Sequence, residues 1–260
     1  MDFDNLNSAT KYPAIETFHA LGDRGRLLDA RTTFDGIGED DEVIWTEKVD
    51  GTNIRVVVMP DGDYFIGIRE ELVHAKGDRI ISSAVDGAIH PVLPVADRIS
   101  SLPENVPYIQ VFFMEVYGGK IGSASKNYTS QNTKALRLFD VAFLEPHILT
   151  MDRASIASWR DHGGQSWAVE STLQRAAETA GIQVTPRLGT ALGSEIPTGL
   201  DDTYKWLQST LPKTLVALDE DAAARPEGIV LRTKDRSRIA KARFQDYART
   251  LEPQPSRKKK

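Results

Sequence analysis

The sequence predicts an α+β fold in which antiparallel sheets, flanked by helices, are interrupted by a helical insertion. Three observations carry that expectation. Short runs rich in β-branched and aromatic residues cluster within 43–143 and return within 228–244. The turn Pro60-Asp61-Gly62-Asp63 joins two of these runs as a hairpin. Between Glu145 and Pro226 the apolar spacing changes to that of helices.

Taken in order, the first strand is expected at 43–48, where the apolar run Val43 to Trp45 leads to Lys48. Strands at 53–59 and 64–69 flank the hairpin turn, and 108–116 is an apolar strand broken only near its end by Glu115. A strand at 135–143 follows. Helices are expected at 152–160, 167–180 and 201–211, after which strands resume at 228–232 and 238–244. Because strands resume, the insertion at 145–226 is expected to pack on the same sheets, inside one domain over 1–250 with a basic tail at 251–260. No internal repeat interrupts this order.

Composition bounds the function. With 40% apolar and 27% charged residues over 260 positions, the chain has the balance of a globular protein with a substantial core. It has no cysteine, which excludes disulfides and cysteine-zinc sites and makes a reducing cytoplasm the expected setting. No apolar run is long enough to cross a bilayer, and the acidic start Met1-Asp2-Phe3-Asp4 is unlike a secretory signal. The net charge of -5 hides an asymmetry: 225–260 holds 12 basic and 4 acidic residues. A polyanion would meet that basic end. The common phosphate cradles are missing, since Gly118-Gly119-Lys120-Ile121 lacks the pattern of a P-loop and no G-x-G-x-x-G occurs.

The strongest chemical signal is Glu47-Lys48-Val49-Asp50-Gly51-Thr52-Asn53, in which a strand delivers a lysine to the mouth of an Asp-Gly turn. A lysine amine attacks phosphorus only when neutral, so such a site needs neighbouring cations or burial. Four further segments follow it: Phe113 to Gly118, Leu138-Phe139-Asp140-Val141, Pro226-Glu227-Gly228 with the strand to Arg232, and Ile239-Ala240-Lys241-Ala242-Arg243-Phe244. The ordered set resembles motifs I, III, IIIa, IV and V of the covalent nucleotidyltransferases, the superfamily of ATP-dependent ligases and capping enzymes. Asn53, five residues after Lys48, together with Lys11 to Glu16 and Ala242 to Tyr247, is similar to the RNA ligases of the phage T4 RNA ligase 2 type.

The resemblance implies a nucleotidyltransferase domain, ATP-grasp-like in its adenylyltransferase architecture, and an ATP-dependent RNA ligase that works through lysyl-AMP. Lys48 is then the nucleophile, with Lys241 and Arg243 as catalytic cations at the phosphates. Glu227 is expected to hold Mg2+, with Mn2+ as substitute, and Glu115 to accept a ribose hydroxyl. Phe139 is expected to stack on adenine and Glu47 to reach the adenine amine. Asn53 and Arg69 correspond to residues used around the phosphates and the RNA end. The implied partner is RNA with 5′-phosphate and 3′-hydroxyl ends, and the chain is expected to be a monomer. Arg243 departs from the lysine of many relatives. Only 13 residues follow Tyr247, so a separate C-terminal domain is not expected, and the sequence leaves open whether a partner protein replaces it.

Simpler readings stand beside these. Glu227 pairs with Arg232, Arg69 pairs with Glu70 or Glu71, Glu115 faces solvent from an edge strand, Phe139 is core, and Glu47 is a solvated strand-edge carboxylate. At the level of the whole chain the alternatives are a minimal ATP-dependent DNA ligase, or a relative that binds nucleic acid without catalysis.

Overall fold

The computed structural model describes residues 2–31, 37, 40–82, 87–101 and 106–251. Of the basic tail expected at 251–260, all but Leu251 lies outside the described residues. The fold is α+β. The strands are β1 (His19–Leu21), β2 (Leu27–Arg31), β3 (Glu42–Lys48), β4 (Thr52–Val58), β5 (Tyr64–Ile68), β6 (Leu72–Ala75) and β7 (Arg79–Ile80). They continue with β8 (Ile109–Gly118), β9 (Lys134–Leu144), β10 (Ser166–Trp167), β11 (Arg187–Leu192), β12 (Gly228–Thr233) and β13 (Ile239–Arg243). The helices are α1 (Phe3–Ala9), α2 (Leu93–Ser100), α3 (Ser125–Tyr128), α4 (Arg153–Asp161), α5 (Glu170–Ala180), α6 (Leu200–Thr210) and α7 (Phe244–Leu251).

The chain divides into two compact units. The first is drawn from within Met1–Ala14, Asp50–Thr185 and Ala217–Ala223. It is built on a seven-stranded antiparallel sheet ordered β10-β9-β8-β4-β5-β6-β7. Alternation along β4 sends Ile54, Val56 and Val58 to one face, against α2 and α5. It sends Val57 to the other face, where Leu6 and Ala9 of α1 and Ile156 of α4 complete a second core. Arg55 also lies on that second face, 1% exposed. Burial lowers its pKa to about 10, and Ile68 O, Asn7 Oδ1 and Thr10 Oγ1 accept its donors. A single guanidinium thus fastens α1 and β5 to the centre of the sheet.

The second unit is drawn from within Ile15–Val49, Pro186–Val216 and Ala224–Lys260. Its four-stranded antiparallel sheet is ordered β11-β3-β12-β13, with the β1-β2 hairpin beside it in sequence. Val43, Ile229, Leu231, Ala240 and Ala242 form the apolar face of that sheet, covered by Leu207, Leu211 and Tyr247. The stretch 145–226 contributes α4, α5 and α6 near the positions their apolar spacing predicts, but also two strands. β10 pairs with β9, and β11 pairs with β3. Neither alternates in the way that marks a strand from sequence: β10 has two residues, and β11 contains a glycine and a register shift.

His19 is buried in the second unit. Its Nε2 lies 2.8 Å from the carbonyl oxygen of Thr198, which can only accept, so Nε2 carries the hydrogen and Nδ1 accepts from the Tyr247 hydroxyl at 2.7 Å. Burial, outweighing the Thr198 bond, holds its pKa below the usual histidine value of 6.5. The unfolded chain therefore takes up a proton, as pH falls through about 6.5, that the folded chain resists. Stability contributed by this histidine is complete above that pH and is lost as pH falls toward the lowered folded value. Thermal melts at about pH 7.5 and about pH 5.5 check this. The drop in melting temperature between them is expected to shrink in His19→Gln, and an equal drop in both chains would assign it elsewhere.

Candidate active site

The expected nucleophile ends strand β3, and antiparallel pairing decides what surrounds it. Lys48 lies opposite Gly228, which lies opposite Arg243, so three strands place these residues in one row. Two residues along, Thr46, Val230 and Lys241 form the next row on the same face. Glu227, immediately before β12, reaches Lys48: its Oε2 is 2.6 Å from Nζ, with the two side chains 13% and 26% exposed. The sheet face opposite the apolar core thus carries a lysine on a carboxylate with two further cations. Glu227 thus has a partner in Lys48 that the simpler pairing with Arg232 did not include.

The cations press on one another. Burial lowers the pKa of Lys241, and Arg243 and Lys48 lower it further, against the opposing pull of Glu227 and Asp246. Arg243 is held by Asp246 at the start of α7, its Nε donating at 2.8 Å and Nη2 at 3.2 Å. Main-chain bonds fix Lys241 as well, because Phe18 N donates to its carbonyl oxygen and its own N–H donates to Glu16 O. Gly228 is required for this packing: a Cβ there would stand 2.1 Å from Ala242 O.

Glu47 lies on the other face of β3, opposite Ile229, and is 1% exposed. Its carboxylate accepts from the Thr214 hydroxyl and, at 2.9 Å, from Leu215 N, so it is not a solvated strand-edge group.

The first unit holds the remaining expected residues. Asn53 on β4 lies opposite Glu115 on β8, and Glu115 lies opposite Arg137 on β9, a row the sequence reading missed because Arg137 carries no motif. β8 lies inside the sheet between β4 and β9, so Glu115 is not on an edge strand. Its Oε1 accepts from Gly51 N at 2.9 Å. The Tyr128 hydroxyl accepts from Asp50 N at 2.7 Å, so the Asp-Gly turn after Lys48 is held at both amides. Gly51 packs so closely on β8 that a Cβ would stand 2.1 Å from Val116 O. Phe139 occupies a β-bulge: Phe113 pairs with Asp140 and Met114 with Leu138, leaving Phe139 as the extra residue. Phe139 and Asp140 then share one face, where Tyr12 meets the Phe139 ring edge-on at 5.1 Å and donates to Asp140 Oδ2 at 2.9 Å. Phe139 is half-buried and also packs against the core, with the buried Phe113 ring 6.3 Å away. Arg69 is the outlier, 87% exposed beyond β5 with Glu70 Oε1 3.5 Å away.

The donor set suits a nucleotide and a hard cation. Among the described residues no cluster of three or more His, Asp or Glu side chains is arranged to hold a metal. Mg2+ prefers one or two carboxylates completed by water and phosphate oxygens, which a single Glu227 beside phosphate-attracting cations would satisfy.

A family model described as RNA ligase matches residues 41–244. The chain belongs to the RNA ligase family. No curated protein matches this RNA ligase family member significantly in sequence. Among solved structures it is similar to a Naegleria gruberi RNA ligase mutant with AMP and Mn, at TM-score 0.56 and 13% identity over 93% of this chain and 61% of that one. A second mutant of that ligase, with ATP and Mn, gives TM-score 0.55 and 13% identity over 93% and 62% of the two chains. The same ligase with PPi gives 0.53 and 13% over 92% and 63%. At this identity the likeness shows a shared fold, and this family member spans about three fifths of the length of those chains.

Two substitutions test the hold on the Asp-Gly turn. Gly51→Ala is expected to destabilise by about 1–3 kcal/mol through overpacking on the β8 backbone. Tyr128→Phe is expected to cost about 1–3 kcal/mol by stranding Asp50 N–H. Urea unfolding of each variant against the parent chain measures both.

Proposed function

We propose that this RNA ligase family member is an ATP-dependent RNA ligase that joins 5′-phosphate and 3′-hydroxyl ends through a lysyl-AMP intermediate. The observation that carries the reading is the Lys48–Glu227 contact of 2.6 Å on a sheet face shared with Lys241 and Arg243. In the first step Lys48 Nζ, having lost a proton, bonds to the α-phosphorus of ATP, and the bond to the bridging oxygen breaks with its electron pair leaving on pyrophosphate. In the second, a 5′-phosphate oxygen of RNA attacks the same phosphorus, the P–N bond breaks, and the amine regains a proton. In the third, an RNA 3′-hydroxyl gives up its proton as it attacks the 5′-phosphorus and expels AMP.

Each residue has a role in this sequence. Lys241 and Arg243 neutralise charge that builds on the phosphate oxygens. A divalent cation held by Glu227, Mg2+ or Mn2+, would supply further charge neutralisation at the phosphates. Phe139, aimed by its bulge and braced by Tyr12, offers a π-face to adenine. Glu115 would accept a ribose hydroxyl, and Asn53 stands beside it in the same row. Glu47 acts at one remove, its carboxylate fixing the main chain at Leu215 beneath the strand that delivers Lys48. Arg69, exposed beside Glu70, has only the resemblance to support a role around the phosphates and the RNA end.

Incubation with α-labelled ATP and Mg2+ is expected to label the wild-type chain and to leave Lys48→Ala unlabelled. Equal labelling of Lys48→Ala would place the nucleophile elsewhere. Glu227→Gln, which removes the carboxylate charge but keeps its shape, is expected to slow label uptake at least about tenfold. Nicked substrates with ribose or deoxyribose at the 3′-hydroxyl side test the substrate, and faster sealing of the deoxyribose end would favour a DNA ligase.

A further inference from the structure

We infer that Arg187 is a phosphate-contacting residue of the adenylylation site, gripping the non-bridging oxygens of the nucleotide α-phosphate from the side of Lys48 opposite to Lys241. The inference rests on the function proposed above and adds to it a cation that no motif contains.

The evidence is the register of β11. Along β3, Trp45 belongs to the apolar core and Thr46 to the face of Lys48. β11 pairs Gly189 with Trp45 but Arg187 with Thr46, so Leu188 is an extra residue in a bulge. Leu188 packs into the core, and Gly189 lies so close to Trp45 that a Cβ would meet the indole at 2.4 Å. Two successive residues therefore face the core. Arg187 is turned to the other face by the bulge; unbroken alternation from Gly189 would have pointed it at the core. The main chain continues the ladder there, with Glu47 N donating to Pro186 O at 2.9 Å.

One row of the sheet then reads Arg187, Thr46, Val230, Lys241 across β11, β3, β12 and β13. At about 4.8 Å per strand, the two outer Cα atoms stand roughly 14 Å apart. Arginine and lysine, the longest cationic side chains, close such a span from its two ends onto a tetrahedral anion. Lys48 stands one row further on, on the inner strand β3, where an anion held between them would lie within reach of its amine. The planar guanidinium suits two phosphate oxygens at once. Because the α-phosphate takes part in both adenylylation and AMP transfer, an α-phosphate contact predicts an effect on both steps.

The test uses the full chain. Arg187→Gln keeps the aliphatic stem and removes the charge, and Arg187→Lys keeps the charge without the fork. Arg153→Ala, at an exposed ion pair with Asp4, is the control. Single-turnover labelling by α-labelled ATP and transfer from preformed adduct to a 5′-phosphorylated RNA are each measured beside a thermal melt. Both steps are expected to slow about 10- to 100-fold in Arg187→Gln at an unchanged melting temperature. Arg187→Lys is expected to recover part of the loss, and the control to match wild type. Wild-type rates in Arg187→Gln overturn the inference, as does a loss that only follows the fraction unfolded. Slowing of labelling alone overturns the assignment to the α-phosphate. A wild-type chain that takes up no label, by contrast, overturns the adenylylation reading itself and with it this inference.

Discussion

The site in the second unit depends on antiparallel pairing of β3 with β12. That register seats the amine of Lys48 on Glu227, and through β13 it brings Lys241 and Arg243 to the same face. Shifting it by one residue would exchange the two faces of β12, sending Val230 and Gly228 to the core and Ile229 and Leu231 out of it. Chemistry and hydrophobic burial therefore specify the same alignment. The core does not merely support the site; it selects the register in which the charged groups meet.

That arrangement holds unfavourable electrostatics in the absence of an anion. Lys241 is partly stripped of water and stands near two other cations, and its lowered pKa records both effects. Asp246 and Glu227 offset part of the excess charge. What remains is a face complementary to phosphate, as expected of a site that stabilises charge appearing during a reaction.

The sequence made most of the fold legible where alternation was regular. The strands around Lys48, Asn53, Glu115 and Lys241 stand close to their expected positions, and the three helices of 145–226 lie within a few residues of theirs. Less legible were the places where alternation breaks. Phe139 and Leu188 are bulge residues, and a bulge leaves no mark in a pattern read two residues at a time. Motif resemblance compensated at Phe139. Nothing compensated at Arg187, which sits in a stretch read as helical texture. Glu47 is a different case: it adjoins Lys48 in sequence, but neighbours in a strand point to opposite sides of the sheet. Tyr128 was invisible for a third reason: its bond to Asp50 joins residues 78 positions apart without a local signature.

Neither unit is a continuous stretch of chain, because the path changes unit after Ala14, Val49, Thr185, Val216 and Ala223. The strand that ends in Lys48 finds its β12 partner about 180 residues later, and β13 is later still. Contacts so distant in sequence make folding slow, because the connecting loop must close before any of its contacts form. During synthesis β3 therefore emerges long before the strands that neutralise, orient and cover it. The amine at its end meets the groups that surround it in the folded chain only after Glu227, Lys241 and Arg243 have left the ribosome.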